Sequence, residues 1–89
     1  MDNQNNFYEK LTYVSEFTSK KIPFEEGNRN NHLFLFGCNC NKYGIPKFEA
    51  LNYAIHNYTF GAIETTSTIL NAYKNEKEHG TFTFPASIN

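Results

Sequence analysis

The chain of 89 residues carries eight lysines and arginines against nine aspartates and glutamates, a net charge of −1, and 17% aromatic residues. This length fits a single domain (1–89), and the charge balance argues against a stand-alone binder of duplex DNA, whose affinity rests on clustered cations. No apolar run approaches the ~20 residues of a membrane span, and the polar start lacks the features of a signal peptide, so we expect a cytoplasmic protein without a membrane partner.

The first helix is predicted at about 6–20, after a polar tail of residues 1–6. Its apolar residues recur every three or four positions, which is the period of an amphipathic helix, at Phe7, Leu11, Val14 and Phe17. Pro23 disfavours a helical conformation at the residue before it, so the helix must end there.

The second helix begins in the polar run 27–31, where several asparagines, Asn28 and Asn30 among them, are suitable caps. The face predicted to be buried consists of Leu33, Phe36, Gly37, Cys40 and Gly44, widened by Phe34 and Cys38. A glycine inside a helix costs up to ~1 kcal/mol relative to alanine, so Gly37 predicts the close approach of another helix. Gly44 is placed to end this helix in a left-handed conformation.

The third helix is predicted to hold Pro46 in its first turn and an apolar stripe at Leu51, Ala54, Ile55 and Tyr58, with Phe48 at its start. A fourth helix is predicted at about 62–76, with Ile69, Ala72 and Tyr73 on one side. The tail 81–89 either lies against the bundle or presents Phe82 and Phe84 to a further domain. These elements predict an all-α fold, a small orthogonal bundle of about four helices with a central helix-turn-helix-like corner and an ordered core at about 7–77.

The polar start of the second helix is the sharpest candidate site. Exposed N–H groups and a positive dipole at a helix start attract anions, and a guanidinium adds charge, so we predict a phosphate or nucleic-acid site there. Its residues are Asn28, Arg29, Asn30 and Asn31, with Lys42 and Lys47 in support. A purely structural alternative remains open, in which asparagine caps the helix and Arg29 bonds to Glu25, Glu26 or a neighbouring helix end.

Other features give weaker signals. The histidines, His32, His56 and His79, and the cysteines, Cys38 and Cys40, lack metal-ligand or nucleophile spacing, so we expect no metal, no cofactor and no enzymatic activity. Four tyrosines are candidates for stacking on bases, although half-buried packing is the simpler interpretation: Tyr8, Tyr13, Tyr43 and Tyr53. Four lysines form either a weak basic edge or a solvated face: Lys20, Lys21, Lys42 and Lys47.

The motifs GNRNN (27–31), YGIP (43–46) and NAYKN (71–75) resemble the helical domain that follows primase catalytic modules (PriCT-like). That family occurs in VirE-like and primase-helicase proteins of plasmids, phages and conjugative elements. The matching positions are Gly27, Arg29, Asn30, Leu33, Gly37, Tyr43, Gly44, Ala50, Leu51, Ala72 and Tyr73. The resemblance covers about 7–77 and departs from the family at Gly37, where alanine is usual, and in the run AIETTST.

The resemblance implies an accessory role in DNA replication, because the family's catalytic carboxylates belong to the preceding domain. The first hypothesis is therefore a non-catalytic domain of a mobile-element primase or helicase protein, whose partners are single-stranded nucleic acid and a neighbouring primase or helicase domain. The alternative is a protein-interaction or dimerisation module without nucleic-acid binding. Near-zero net charge favours this alternative, which predicts a contiguous exposed apolar patch.

Overall fold

The computed structural model describes the backbone of residues 2–88 and the side chains of residues 7–88. Four α-helices follow in chain order, α1 (Asp2–Lys21), α2 (Arg29–Lys42), α3 (Lys47–Asn57) and α4 (Ala62–Ala72), and then a 3₁₀ turn (Glu76–Glu78). The predicted small all-α bundle is confirmed, with no strand among residues 2–88. Helix α1 begins at Asp2 rather than near residue 6, and the side chains of the predicted tail 1–6 lie outside the described residues.

Helix α2 is the central element and packs against each of the other three helices. The core is apolar and draws on all four helices: Leu11 and Val14, then Leu33, Phe36 and Cys40, then Ala50 and Ala54, then Ile69. Four predictions about burial were wrong, since Phe17 on α1, Phe34 on α2, and Phe48 and Ile55 on α3 are exposed. Within the described chain, no helix has both the length and the apolar character needed to cross a membrane.

Helix α2 also buries three polar residues that were not part of its predicted apolar face. His32, Asn39 and Asn41 are buried because α1, the connector after it and the C-terminal segment supply hydrogen-bond partners. A hydropathy pattern cannot anticipate such burial, because it depends on groups that are distant in sequence.

Close packing explains the glycine inside α2, as predicted. A Cβ atom built on Gly37 would lie 2.7 Å from the Cβ of Ala72 and 3.3 Å from Cδ1 of Ile69. The bare backbone at this position therefore lets α4 approach α2 more closely than any side chain would permit.

The corner between α2 and α3 is a Schellman motif. Gly44 has a φ of +78°, its N–H donates to the carbonyl of Asn41, and the N–H of Ile45 donates to the carbonyl of Cys40. The predicted left-handed terminator is confirmed. Pro46 is the N-cap of α3, one residue before the predicted position in the first turn.

The chain leaves α4 at Ala72, earlier than the predicted end near 76. The hydroxyl of Tyr73 donates to the carbonyl of Ile45 at 2.7 Å, which fixes the end of α4 beside the start of α3. The segment after the 3₁₀ turn then packs on the bundle, since Phe84 is buried and stacks on Tyr43 with 4.4 Å between ring centroids.

Candidate functional site

The predicted phosphate site lies at an open helix end. Asn28 is the N-cap of α2, and its side chain makes no capping hydrogen bond to the described part of the chain. Arg29 is exposed, with its guanidinium carbon 5.8 Å from the centre of the Phe24 ring. Asn30 accepts a hydrogen bond from the hydroxyl of Thr68 at 2.8 Å, and Asn31 is exposed. The backbone N–H groups of this first turn have no partners within the helix.

The structure lacks the acidic partners that the structural alternative offered for Arg29. Among residues 7–88, the one ion pair joins Lys42 Nζ to Glu78 Oε1 at 3.8 Å, so Arg29 is bridged to neither Glu25 nor Glu26. The guanidinium lies over an aromatic ring instead, an arrangement that leaves most of its N–H donors free to bind other groups.

The structure does not bring the two supporting lysines to this site. Lys42 is the last residue of α2, about 20 Å from Arg29 along the axis at 1.5 Å per residue. Lys47 begins α3 and lies over the ring of its neighbour Phe48, beside a hollow that Tyr73 and Glu76 also line. The six predicted residues are therefore divided between separate places.

A different set of residues forms a groove of about 530 Å³ between α1, the C-terminal half of α2 and the C-terminal segment. Its lining, which we call the basic groove, consists of Phe17, Lys20, Lys21, Leu35, Asn39, Lys42 and Phe82. Three of the four lysines of the predicted basic edge meet here, whereas Lys47 lies elsewhere. Phe17 and Phe82 are each 40% exposed, so both present ring surface to solvent.

A layer of aromatic rings supports the two exposed phenylalanines of the basic groove. The ring of Tyr43 makes edge contacts with both, with centroids 6.0 Å from Phe17 and 5.2 Å from Phe82. Tyr13 lies behind them and contacts Phe17, Tyr43 and Phe84. Burial, and secondarily the neighbouring Tyr13, raises the pKa of Tyr43 to about 12, so this phenol is uncharged at neutral pH.

Buried hydrogen bonds hold the two helical walls of the groove together. The side-chain amide of Asn39 donates to the hydroxyl of Thr18 at 3.0 Å, and that hydroxyl donates to the carbonyl of Val14 at 2.8 Å. Both side chains are almost completely buried, so the contact between α1 and α2 is fixed at the level of the lysines.

Backbone hydrogen bonds place the third wall. The N–H of Gly80 donates to the carbonyl of Asn41 at 3.0 Å, and the N–H of Phe82 donates to the carbonyl of Lys42 at 2.7 Å. Lys42 Nζ then lies 5.3 Å from the centre of the Phe82 ring. Contacts within the chain therefore hold the ammonium group of Lys42 next to the ring of Phe82 before any ligand binds.

The remaining candidates play structural parts. The imidazole of His32 is buried, His56 bonds to the carbonyl of Asn52 in its own helix, and His79 bonds to the side chain of Asn41. Burial raises the pKa of the thiols of Cys38 and Cys40, which keeps both protonated. Both cysteines are free.

Sequence reasoning missed the aromatic part of the basic groove. Phe17 follows the apolar stripe of α1, where it was expected in the core, and lies one turn before the lysine pair. The short distance in sequence between Phe17 and these lysines could have identified Phe17 as part of the groove. The residues around Phe82 do not indicate its place in the groove, because that place depends on how the C-terminal segment folds back onto the bundle. Comparisons with protein-family models, with curated proteins and with solved structures each found no match.

Proposed function

We propose that this domain is a non-catalytic accessory module of a replication protein and that it holds single-stranded nucleic acid in the basic groove. The observation that carries the proposal is the meeting of three lysines with two exposed phenylalanine rings along one groove. Proteins that bind single strands combine these two elements, a positive groove for the backbone and aromatic faces on which bases stack.

The charge balance favours a single strand over a duplex. Three groove lysines neutralise few phosphates, and one of them, Lys42, is already paired with Glu78. Stacking on exposed rings adds about 1–3 kcal/mol per base, but it requires unpaired bases. A ligand with accessible bases therefore gains from both elements, whereas a duplex gains from the lysines alone.

The resemblance to the helical domain of primases supports a role in replication, with a neighbouring primase or helicase domain as the second partner. The open start of α2, with Arg29 exposed between asparagines, is a second predicted phosphate contact on the same helix. In this proposal the catalytic groups belong to another domain, and the module positions the strand.

Fluorescence anisotropy with a labelled oligothymidine of about 12 nucleotides tests the proposal, since about 4–16 nucleotides occupy comparable single-strand sites. We expect the logarithm of the affinity to fall with the logarithm of salt concentration with a slope of about −2, which is the value for three phosphate contacts on a single strand. The Phe17→Ala and Phe82→Ala variants should each bind about fivefold more weakly or worse, because each removes a stacking surface.

Matched controls separate the groove from general charge and hydrophobicity. The double variant Lys20→Gln/Lys21→Gln should lose affinity, whereas Lys74→Gln/Lys77→Gln, with the same change in net charge on exposed lysines outside the groove, should not. Phe48→Ala is the control for the ring variants, since this ring is exposed on α3. Equal losses in the control and groove variants, or equal affinity for a duplex of the same sequence, would refute the proposal.

The alternative function, a protein-interaction module, is favoured by one specific observation. Among residues 7–88, four of the eight exposed large hydrophobic residues belong to α3 and α4 and not to the groove: Phe48, Ile55, Ile63 and Leu70. Because the two surfaces lie on different helices, both functions are compatible in one domain.

A further inference from the structure

One buried polar side chain of the basic groove uses only part of its hydrogen-bonding capacity. Asn39 lines the groove and is only 5% exposed. Its amide nitrogen donates to the hydroxyl of Thr18 at 3.0 Å. Within the part of the chain that the structure describes, no group donates a hydrogen bond to its amide oxygen.

The neighbouring bonds fix which end of this amide faces α1. The Thr18 hydroxyl has one proton, which it donates to the carbonyl of Val14 at 2.8 Å, so it can only accept from Asn39. Asn39 must therefore present its NH₂ group to α1, with its oxygen on the other side of the amide. That oxygen is not among the completely buried side-chain atoms without a partner, so it belongs to the small exposed part of the residue. The opening that Asn39 borders is the basic groove.

A second buried asparagine of α2 shows how a purely structural amide is bonded. The nitrogen of Asn41 donates to the carbonyl of Asn75, and its oxygen accepts from Nδ1 of His79, so the chain uses both ends of that amide. Such pairing is the rule for buried polar side chains. The amide oxygen of Asn39, by contrast, is available to a donor that comes from outside the chain.

The two exposed rings of the groove belong to segments that flank Asn39. Phe17 immediately precedes Thr18, the partner of Asn39 on α1. The N–H of Phe82 donates to the carbonyl of Lys42, which lies one turn after Asn39 on α2. A base that stacks on either ring therefore brings its edge to the part of the groove that Asn39 borders.

The chemistry of an amide oxygen decides which bases it favours. This oxygen only accepts hydrogen bonds. Adenine and cytosine each carry an exocyclic amino group that donates, whereas thymine has a carbonyl oxygen in the corresponding place, so two acceptors would face each other. A stacked base without a donor also excludes water from the oxygen and leaves it unpaired, which is unfavourable.

We propose that Asn39 determines the base specificity of the basic groove by selecting bases with an exocyclic amino group, adenine and cytosine, over thymine. This inference rests on the proposed function, because it requires a single strand in the groove. Thymine tracts still bind, since the lysines and the rings act on any base. Thr18 is the positioning residue, because it holds the amide nitrogen and so turns the oxygen towards the groove.

Fluorescence anisotropy with two oligonucleotides that differ only in the amino group tests the inference. One strand repeats the trinucleotide TTA, and the other carries purine, which has the same rings without the amino group, in place of each adenine. We expect the parent chain to bind the adenine strand about fivefold more tightly, the effect of one hydrogen bond between neutral groups. Because the amide is uncharged, this ratio should stay constant as salt weakens both complexes. The corresponding pair for cytosine uses 2-pyrimidinone as the analogue without the amino group.

Variants of the two residues separate the amide from its surroundings. Asn39→Leu, which is similar in size but lacks the acceptor, should abolish the difference between the two strands. Thr18→Val should reduce the difference, because nothing then holds the amide, whereas Thr18→Ser keeps the hydroxyl and should retain the parent ratio. The matched control is Asn52→Leu, at an exposed asparagine of α3, which should also retain it. Urea unfolding checks that each variant is folded, and the two Thr18 variants decide the question if Asn39→Leu does not fold.

The outcomes for the inference and for the proposed function can be told apart. Equal affinity of the parent chain for the two strands would overturn the inference and leave the proposed function standing. A parent-like ratio in folded Asn39→Leu, or in Thr18→Val if Asn39→Leu does not fold, would do the same. If the parent chain binds neither strand, both proposals are wrong.

Discussion

The two ends of α2 are built differently. At its C-terminal end, Asn41 is tied to residues on both sides of the 3₁₀ turn, Asn75 before it and His79 and Gly80 after it, and Gly44 closes a Schellman motif. At its N-terminal end, Asn28 makes no side-chain cap within the described chain, and Arg29 is exposed. The closed end holds Lys42 and Phe82 in place before any ligand arrives, which lowers the entropic cost of binding there. The open end is held less firmly, by the bond from Thr68 to Asn30 and the Phe24 ring beside Arg29, so a ligand there gains less from a site that is already in place.

The strongest test of the closed end is Asn41→Ala. Its amide donates to the carbonyl of Asn75 at 2.8 Å, and its carbonyl oxygen accepts from Nδ1 of His79 at 2.8 Å. Removing both bonds leaves a part-buried backbone carbonyl without its partner, so we expect unfolding free energy to fall by about 2 kcal/mol. Urea unfolding measures this loss. Oligonucleotide affinity should also fall, since Phe82 depends on this segment.

The control for Asn41→Ala is Asn52→Ala on the exposed side of α3, which should change stability by no more than about 0.5 kcal/mol. If the two variants were equally stable, the C-terminal segment would not be fastened through Asn41. The contrast between the two ends of α2 would then lose its main support.

His32 is fastened by hydrogen bonds in the N-terminal half of α2, and a change of pH tests those bonds. The fully buried ring donates from Nδ1 to the carbonyl of Ile22 at 2.6 Å, and Nε2 accepts from the hydroxyl of Tyr58 at 2.8 Å. Burial raises the pKa of Tyr58 to about 12, which keeps that donor protonated. The same hydroxyl also bonds to Ser15, so the network joins α1, the connector, α2 and the residue after α3.

Burial lowers the pKa of His32 below its ordinary value of 6.5, although the bond to Ile22 opposes the shift. As pH falls below about 6.5, the unfolded chain takes up a proton that the folded chain refuses, so stability decreases. The slope cannot exceed about 1.4 kcal/mol per pH unit for one proton. Urea midpoints between pH 7.5 and 5 should show it. His56→Gln, at an exposed histidine, should keep the slope, and loss of the slope in that variant would contradict the assignment.

Periodicity and terminators were enough to predict four helices, the corner at Gly44 and the close approach at Gly37, because these follow from local chemistry. The sequence did not predict the end of α4, which depends on the bond from Tyr73 to Ile45, nor the burial of polar residues on α2. The sequence analysis left open whether the lysines of the basic groove form a weak basic edge or a solvated face, and it did not predict the groove. Phe82 joins these lysines only through long-range backbone pairing. Contacts between segments distant in sequence account for each difference.

The smallest expected effect is at the open end. An asparagine cap usually contributes about 1 kcal/mol, because its side chain accepts a bond from a free helix N–H. Asn28 occupies the cap position without forming that bond to any described residue, so Asn28→Ala should change the free energy of unfolding by less than about 0.5 kcal/mol. Urea unfolding curves of Asn28→Ala and Asn41→Ala, compared with the parent, measure how much each end of α2 contributes to the free energy of unfolding. A loss near 1 kcal/mol would mean that Asn28 caps α2 in solution, and the first turn would then be less available to an anion than its geometry indicates.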